Sequence, residues 1–464
     1  MYRGVQILAD IVNAVVHELT LFAVIGFIIG GIDDLIIDMI WITRSLWRRA
    51  FIYPFHRRAD AGTLAQPQSP GRIIVFVAAW DESAVIGRML SHALASFDHD
   101  DYCIYVGCYP NDAATIKAVR AINSPNLRVV IGDQPGPTTK ADCLNTLWHA
   151  LLHDEAVEGF RAKAVVLHDA EDIVHSAELR VFDTLIERFA LVQLPVLPLA
   201  DSRSRWISGH YSDEFAEAHG KTLVVREAIG AAIPAAGVGC AFSRDLLARV
   251  AAQRGGDPFD RDSLTEDYEI GLRLGAFGER GAFVRLPGAG RRSMVGVRAH
   301  FPATLDAAVR QKSRWITGIA LAGWDRLGWQ GGWAESWMRL HDRRALIGAV
   351  VLMAGYAALV LSGGMWVAHW TVSSAKPSMS LTLDLLLSIS GMILLWRLAV
   401  RSAFVTYAYG WREGLRAIPR AVIGNVIAIM AARRALWLYV RMRRDGIVRW
   451  DKTAHAFPDV MPAE

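Results

Sequence analysis

Val165-Val166-Leu167-His168-Asp169-Ala170-Glu171-Asp172-Ile173-Val174-His175 is the stretch whose reading decides the fold. The short apolar run Ala164–Leu167 has strand character, and it ends in three carboxylates within four positions, Asp169, Glu171 and Asp172. A strand feeding straight into clustered acids sets hard oxygen ligands at a sheet edge. Such ligands suit Mg²⁺ or Mn²⁺, ions usually shared with substrate phosphates. A solvated acidic loop has the same pattern, so the flanking segments must separate the two readings.

Upstream, strands alternate with helices. Arg72–Ala79 predicts a strand and Ala84–Phe97 a helix, with apolar positions at Val85, Met89, Leu90 and Leu94. Tyr102–Cys108 and a helix over Asp112–Ile122 follow, then Leu127–Ile131 and Lys140–Leu152. After the acidic stretch a helix is expected over Ser176–Phe189. This alternation predicts an α/β domain with a doubly wound, mostly parallel sheet. Ligands of such sheets bind outside the carboxyl ends of the strands, where Trp80-Asp81-Glu82, Asn111-Asp112, the Gly132–Thr139 loop and the three acids all fall. Further on the pattern loosens. Leu191–Leu199 reads as extended, Ile207–Gly230 as a long helix, Gly237–Phe242 as a turn and strand, Thr265–Gly275 as a helix capped by Thr265, and Phe283–Leu286 as a short strand.

Composition adds a membrane. The 464 residues are 53% hydrophobic yet 21% charged, with mean hydropathy +0.24, which fits a soluble domain with apolar helices attached. A net charge of +4 implies no nucleic-acid partner. Four cysteines without CxxC spacing read as reduced thiols. Leu19–Ile32 is apolar and is followed by Asp33, Asp34 and Asp38, then Arg44, Arg48, Arg49, Arg57 and Arg58. It predicts one membrane helix with the arginine side cytoplasmic, or an interfacial segment; the aspartates must face protein or an interface. Ala303–Ala322 reads as amphipathic and surface-lying. Ala345–Ala368 and Leu381–Val400 predict a membrane hairpin. Ala421–Ala432 is too short to span and is expected on the cytoplasmic face. The resulting divisions are 1–58, linker 59–71, catalytic 72–322, membrane-associated 323–444 and tail 445–464.

Thr265-Glu266-Asp267 alone is an ordinary helix start, since acids suit the dipole there. Gln311-Lys312-Ser313-Arg314-Trp315 alone is an ordinary interfacial stretch. Their order carries the weight: strand-end acids, then Thr-Glu-Asp, then Gln-x-x-Arg-Trp, then apolar spans. The series resembles the processive family 2 glycosyltransferases, membrane enzymes with a GT-A type catalytic domain such as cellulose and hyaluronan synthases. With His168–Asp172, Asp213-Glu214-Phe215 and the closing Trp450–Pro458, it is most similar to the bacterial phage-adsorption protein B type; members of that group often continue into a cyclic-di-GMP-binding domain, and the expectation for these 464 residues is that they hold none.

The resemblance implies roles. Ala79, Trp80 and Glu82 stand in the first nucleotide-binding motif, Asp112 near the second, and Lys140 and Asn145 in Lys-x-x-x-Leu-Asn beside the nucleotide. Asp169 with Glu171, or else Asp172, takes the place of the metal motif. Asp267, beside Glu266, would be the general base, while Gln311, Arg314 and Trp315 would clamp diphosphate and acceptor, with Gly237 allowing close backbone approach. It further implies Mg²⁺ or Mn²⁺, a UDP-N-acetylhexosamine donor, a growing polysaccharide acceptor and an inner-membrane enzyme with a cytoplasmic catalytic domain. Three spans are few for a channel, so a homo-oligomer or an export partner is expected to complete the path. A nucleotide-binding scaffold and a lipid-linked monosaccharide transferase are the alternatives.

Overall fold

The computed structural model describes residues 2–201, 203–288, 293–372, 380–446 and 457–458. It opens with α1 (Tyr2–Phe51), one unbroken helix of 50 residues. At about 1.5 Å per residue this is far longer than a bilayer core.

The sheet follows. Strands β1 (Ile73–Ala78), β2 (Tyr102–Cys108), β3 (Leu127–Ile131) and β4 (Ala164–His168) alternate with α2 (Ile86–Ser96), α3 (Ala113–Arg120) and α4 (Lys140–Glu158). Next come α5 (Glu178–Leu185), β5 (Leu191–Gln193), β6 (Val196–Leu199), α6 (Ile207–Glu217) and α7 (Leu223–Ala228), then β7 (Cys240–Ser243), α8 (Arg244–Gln253), α9 (Glu266–Arg273), β8 (Gly281–Phe283) and β9 (Val297–His300). Seven strands form one sheet in the order β3-β2-β1-β4-β7-β5-β8, and β6 pairs with β9 beside it. All pairs in the large sheet are parallel except those of β7, which runs antiparallel to β4 and β5. The expected doubly wound, mostly parallel α/β sheet is therefore present.

The alternation of side chains explains why these strands read as continuous apolar runs. Ile73, Val75 and Val77 join a core with α2 and α5, while Ile74 and Phe76 join a second core with α4 and α8. A strand covered on both faces has no polar face to show. The helix expected over Ser176–Phe189 is shorter, because α5 stops at Leu185.

The second half ends in helices α10 (Leu305–Ile316), α11 (Gly323–Leu327), α12 (Trp333–Arg343), α13 (Ala345–Val372), α14 (Leu381–Tyr409) and α15 (Trp411–Asp445). Among the described residues, four helical stretches are long and apolar enough to cross a membrane: 10–51, 345–367, 381–409 and 411–445. The fourth departs from the sequence reading. Ala421–Ala432 is not a short surface helix but the middle of α15, since Arg420 does not end the helix. Its guanidinium turns inward to Asp213 and Glu413.

Asp33, Asp34 and Asp38 of α1 face protein. Asp33 accepts from Trp337 Nε1 at 2.6 Å, His341 Nδ1 at 2.7 Å and Arg344 Nη1 at 2.6 Å. Asp34 pairs with Arg344 and Arg397, and Asp38 with Lys221 and Trp396. Most of the expected tail lies outside the described residues, but Phe457 is buried against α2, where Arg88 sits over its ring at 5.1 Å.

Candidate active site

Parallel pairing aligns the loops that carry the site. Val77 lies opposite His168, so the chain after β1 and the chain after β4 leave the sheet side by side. The first loop is Ala79–Glu82. Asp81 sits there at φ +53°, a left-handed conformation uncommon outside glycine. Its N–H donates to Asp112 Oδ2 at 2.6 Å, and Asp112 Oδ1 accepts from Thr115 N at 3.2 Å to cap α3. Asp112 is thus a brace for the loop. Glu82 is buried at the start of α2, with its N–H on Thr115 Oγ1 at 3.0 Å.

Trp80 forms a platform with residues the motif reading did not nominate. Its ring lies on Gly136 so closely that a methyl group there would overlap the indole, and Tyr109 meets it edge-on at 5.1 Å. Asn111 grips Gly136 twice, donating to its O at 2.8 Å and accepting from its N at 2.7 Å. The only sequence signal for this grip was the polar Asn111 beside the nominated Asp112.

Lys140 opens α4 behind a capping box of Thr139 and Asp142. Its ammonium reaches across to Asp169, just past the end of β4, and to the carbonyl of Gly237 at 3.4 Å. Gly237 has φ +74°, and a methyl group there would overlap Asp267 Oδ2. Lys140, Asp169, Gly237 and Asp267 therefore converge from four separate parts of the chain. Glu266 is beside Asp267 at the start of α9. The turn after α10 packs on it from the other side, because Gly318 lies directly against Thr265. Gln311, Arg314 and Trp315 share α10, and Trp315 rests on Tyr211, Phe215 and Phe301 at ring distances of 6.1, 6.3 and 6.5 Å.

Two of the nominated side chains turn inward, and one expected cap is not made. Asn145 is 1% exposed, and its amide is spent on the backbone of Phe259, donating to O at 2.8 Å and accepting from N at 3.0 Å. It clamps the loop at Phe259 to α4. Asp172 is equally buried: its Oδ2 accepts from Asp169 N at 3.0 Å and contacts His168 Nδ1 at 2.8 Å, so it serves the interior. Thr265 makes no side-chain cap to α9. Among the described residues, the one group of three metal-type ligands close enough to share an ion is Asp33, Asp34 and His341, and Arg344 and Arg397 already supply positive charge there.

Residues 70–318 match the family model described as glycosyltransferase like family 2. The chain belongs to glycosyltransferase family 2. The enzyme is also 37% identical over 461 residues to bacteriophage adsorption protein B of Escherichia coli strain K12, covering 94% of this chain and 62% of that protein. The bacteriophage N4 adsorption protein B of Escherichia coli O157:H7 matches to the same extent. This glycosyltransferase thus spans about three fifths of the length of these curated relatives. Among solved structures, mannosyltransferase PcManGT of Pyrobaculum calidifontis, in complex with GDP-Man and Mn²⁺, is similar at a TM-score of 0.49 and 16% identity, over 92% of this chain and 99% of that one.

The electrostatics of the glycosyltransferase site follow from its crowding. Burial and the neighbouring Asp267 push Glu266 up to about 7, with Lys140 and Arg314 acting against them. Burial also raises Asp267, opposed by Lys140, and Asp169 adds to the rise. Burial works against the charge on Lys140, but Asp169, Glu266 and Asp267 outweigh it and hold the ammonium on. Asp169 keeps a 38% exposed side chain toward solvent. Glu171, two residues on, is buried at 7% exposure; carboxylate oxygens of this kind are what divalent ions shared with phosphates take.

Proposed function

We propose that this glycosyltransferase is an inverting, metal-dependent enzyme of a bacterial inner membrane. On this reading it draws a UDP-sugar, a UDP-N-acetylhexosamine, from the cytoplasm and builds an exopolysaccharide. The observation that carries the reading is the convergence of Lys140, Asp169, Gly237 and Asp267 at the carboxyl end of the sheet.

Each charge has work to do in such a transfer. The acceptor hydroxyl attacks the anomeric carbon as the bond to UDP breaks, and its proton must go to a positioned base. Asp267, raised by burial above the ordinary carboxylate range, takes it more readily than a surface aspartate would. Trp80 and the Gly136 backbone form a flat surface suited to a nucleobase. Lys140 and Arg314 face the negative charge that accumulates on the departing diphosphate, Lys140 as a point charge and Arg314 as a fork. Asp169 and Glu171 would hold Mg²⁺ or Mn²⁺, which as a Lewis acid would stabilise that leaving group. Gln311 and Trp315 belong to the acceptor side on this reading. The four helices among the described residues that are long and apolar enough to cross a membrane favour transfer coupled to export, through this chain or with a partner or further copies of it.

The test is a donor screen on membranes carrying the wild type or Asp267→Asn. Release of UDP from one UDP-sugar by the wild type alone, with a polymer product, is the expected result. Nucleotide binding without turnover would establish a scaffold, and a single sugar on a polyprenyl carrier would establish the lipid-linked reaction; either overturns the proposal.

A further inference from the structure

The triplet Asp213-Glu214-Phe215 takes no part in the chemistry above, yet its side chains leave α6 toward separate elements. Asp213 forms a two-pronged salt bridge with Arg420 of α15, Oδ2 to Nε at 2.9 Å and Oδ1 to Nη2 at 2.6 Å. Glu214 holds Lys312 of α10 at 2.5 Å. Phe215 packs on Trp315 and Phe301, and Tyr211, one turn earlier, stands edge-on to Trp315. One turn later Glu217 pairs with Arg401 of α14 at 3.0 Å, and Lys221, in the π turn that continues the helix, pairs with Asp38 of α1 at 2.5 Å. One helix of the catalytic domain therefore meets α1, α14 and α15 through charge, and it meets the Gln311–Trp315 helix through both charge and aromatic contact.

Lys312 is 8% exposed and lies one residue after Gln311 and two before Arg314. Positions 311, 314 and 315 share a face, and 312 is about 100° round from 311. An anchor at 312 consequently fixes the rotation of α10, while the ring floor fixes the plane of the Trp315 indole. Lys312 is buried while Glu214 keeps a 37% exposed side chain; an ion pair of this kind adds little to stability, and its use here is to set register.

We propose that Asp213, Glu214 and Phe215 are positioning residues that hold the Gln311–Trp315 helix in register with α15, so that transfer to acceptor depends on them far more than nucleotide binding does. The role rests on the reading of Arg314 and Trp315 as diphosphate and acceptor clamp. Sugar transfer is sensitive to such placement, since a shift of about 1 Å can cost on the order of a hundredfold in rate.

The test uses the full chain in lipid nanodiscs with Glu214→Gln, Lys312→Met and the double variant. Three readouts serve: amide exchange along Leu305–Ile316, UDP affinity in Mn²⁺ by calorimetry, and transfer from the donor found in the screen above. Each single variant is expected to speed exchange on that helix at least tenfold and to lower transfer by about a hundredfold. UDP affinity should fall by far less than transfer, because Lys140 and the Trp80 surface hold the nucleotide without α10, and the double variant should be no worse than the poorer single. Unchanged exchange, UDP affinity falling in step with transfer, or single effects that multiply would overturn the role. Phe215→Leu keeps the ion pair and covers the case of a single variant that does not fold: it should raise the acceptor KM with the donor KM unchanged, and an unaltered acceptor KM overturns the proposal. Wild-type transfer by both Arg314→Ala and Trp315→Ala would overturn the clamp reading and this role with it. Loss of transfer there, with none in Glu214→Gln, would overturn the positioning role alone.

Discussion

The ammonium of Lys140 is ion-paired to Asp169 and lies 3.4 Å from the carbonyl of Gly237. It thus ties the start of α4 to the end of β4 and to the glycine turn that covers Asp267. Lys140→Met should release that tie and leave Asp169, Glu266 and Asp267 facing one another without a cation. We expect a loss of at least about a hundredfold in transfer, the scale for one preorganised charge contact. UDP affinity by calorimetry should fall with it, because the same cation faces the diphosphate.

The pH profile should carry the mark of the Glu266–Asp267 pair. Both carboxyls stand above their ordinary values, Glu266 at about 7. Glu266 takes up its proton as pH drops through about 7, and Asp267 beside it is raised by the same burial, so transfer should fall as pH drops through about 7. Stability runs the other way. A folded pKa above the unfolded one means that protonation favours the fold, so the burial cost is absent at pH 4 and complete above about 7. Glu266→Gln should therefore melt higher than wild type at pH 8 and move the acid limb, as read by kcat/KM against pH.

His168 is expected to be a structural linchpin. It is fully buried between Asp172, at 2.8 Å from Nδ1, and Glu178, at 2.6 Å from Nε2. Burial opposes its charge, but the two carboxylates raise it to about 10. Its contribution is complete below about 6.5 and lost as pH rises through about 10. His168→Leu leaves two buried acids without their partner and should cost about 3–5 kcal/mol, the scale for breaking a buried ion pair. Thermal unfolding in nanodiscs at pH 7 measures it.

The sheet was legible in the sequence because strands buried on both faces must be apolar throughout, as Ile73–Ala78 and Ala164–Leu167 are. The convergence of Lys140, Asp169 and Asp267 was legible only by resemblance, since nothing local in a Thr-Glu-Asp helix start says which way its aspartate points. The inward bonds of Asn145 and Asp172 were not legible, for one shared reason. A polar residue in a motif reads as a ligand contact, while its hydrogen bonds to Phe259 and His168 are long-range or inward and leave no periodic trace. The long α15 was missed because Arg420 was read as a boundary, when Asp213, more than two hundred positions earlier, neutralises it.

Asp34 should matter to the packing of the apolar helices. It is 8% exposed and pairs with Arg344 at the start of α13 and with Arg397 of α14. Asp34→Asn leaves two guanidinium groups around a neutral amide, and we expect about 3–5 kcal/mol of lost stability. Adding Arg397→Gln should restore part of it, since removing both partners costs less than removing one. Unfolding midpoints of the two variants in one lipid composition decide this.

Gly237→Ala separates chemistry from binding. At φ +74° any side chain is strained, and here the added methyl would overlap Asp267 Oδ2. Relief must come from turning the Asp267 carboxylate or from moving the turn, and β7 limits the second because it is paired on both sides from Cys240 onward. The carboxylate is the softer element, so the substitution should displace the base while Trp80, Asn111 and Gly136 stay in place. We therefore expect kcat to fall by about a hundredfold with UDP affinity within a few-fold of wild type. Donor hydrolysis should fall less than transfer, because water can be activated from positions that an acceptor hydroxyl cannot reach. Equal losses in UDP affinity and kcat would mean that the turn moved instead, and that Gly237 serves the backbone more than the base.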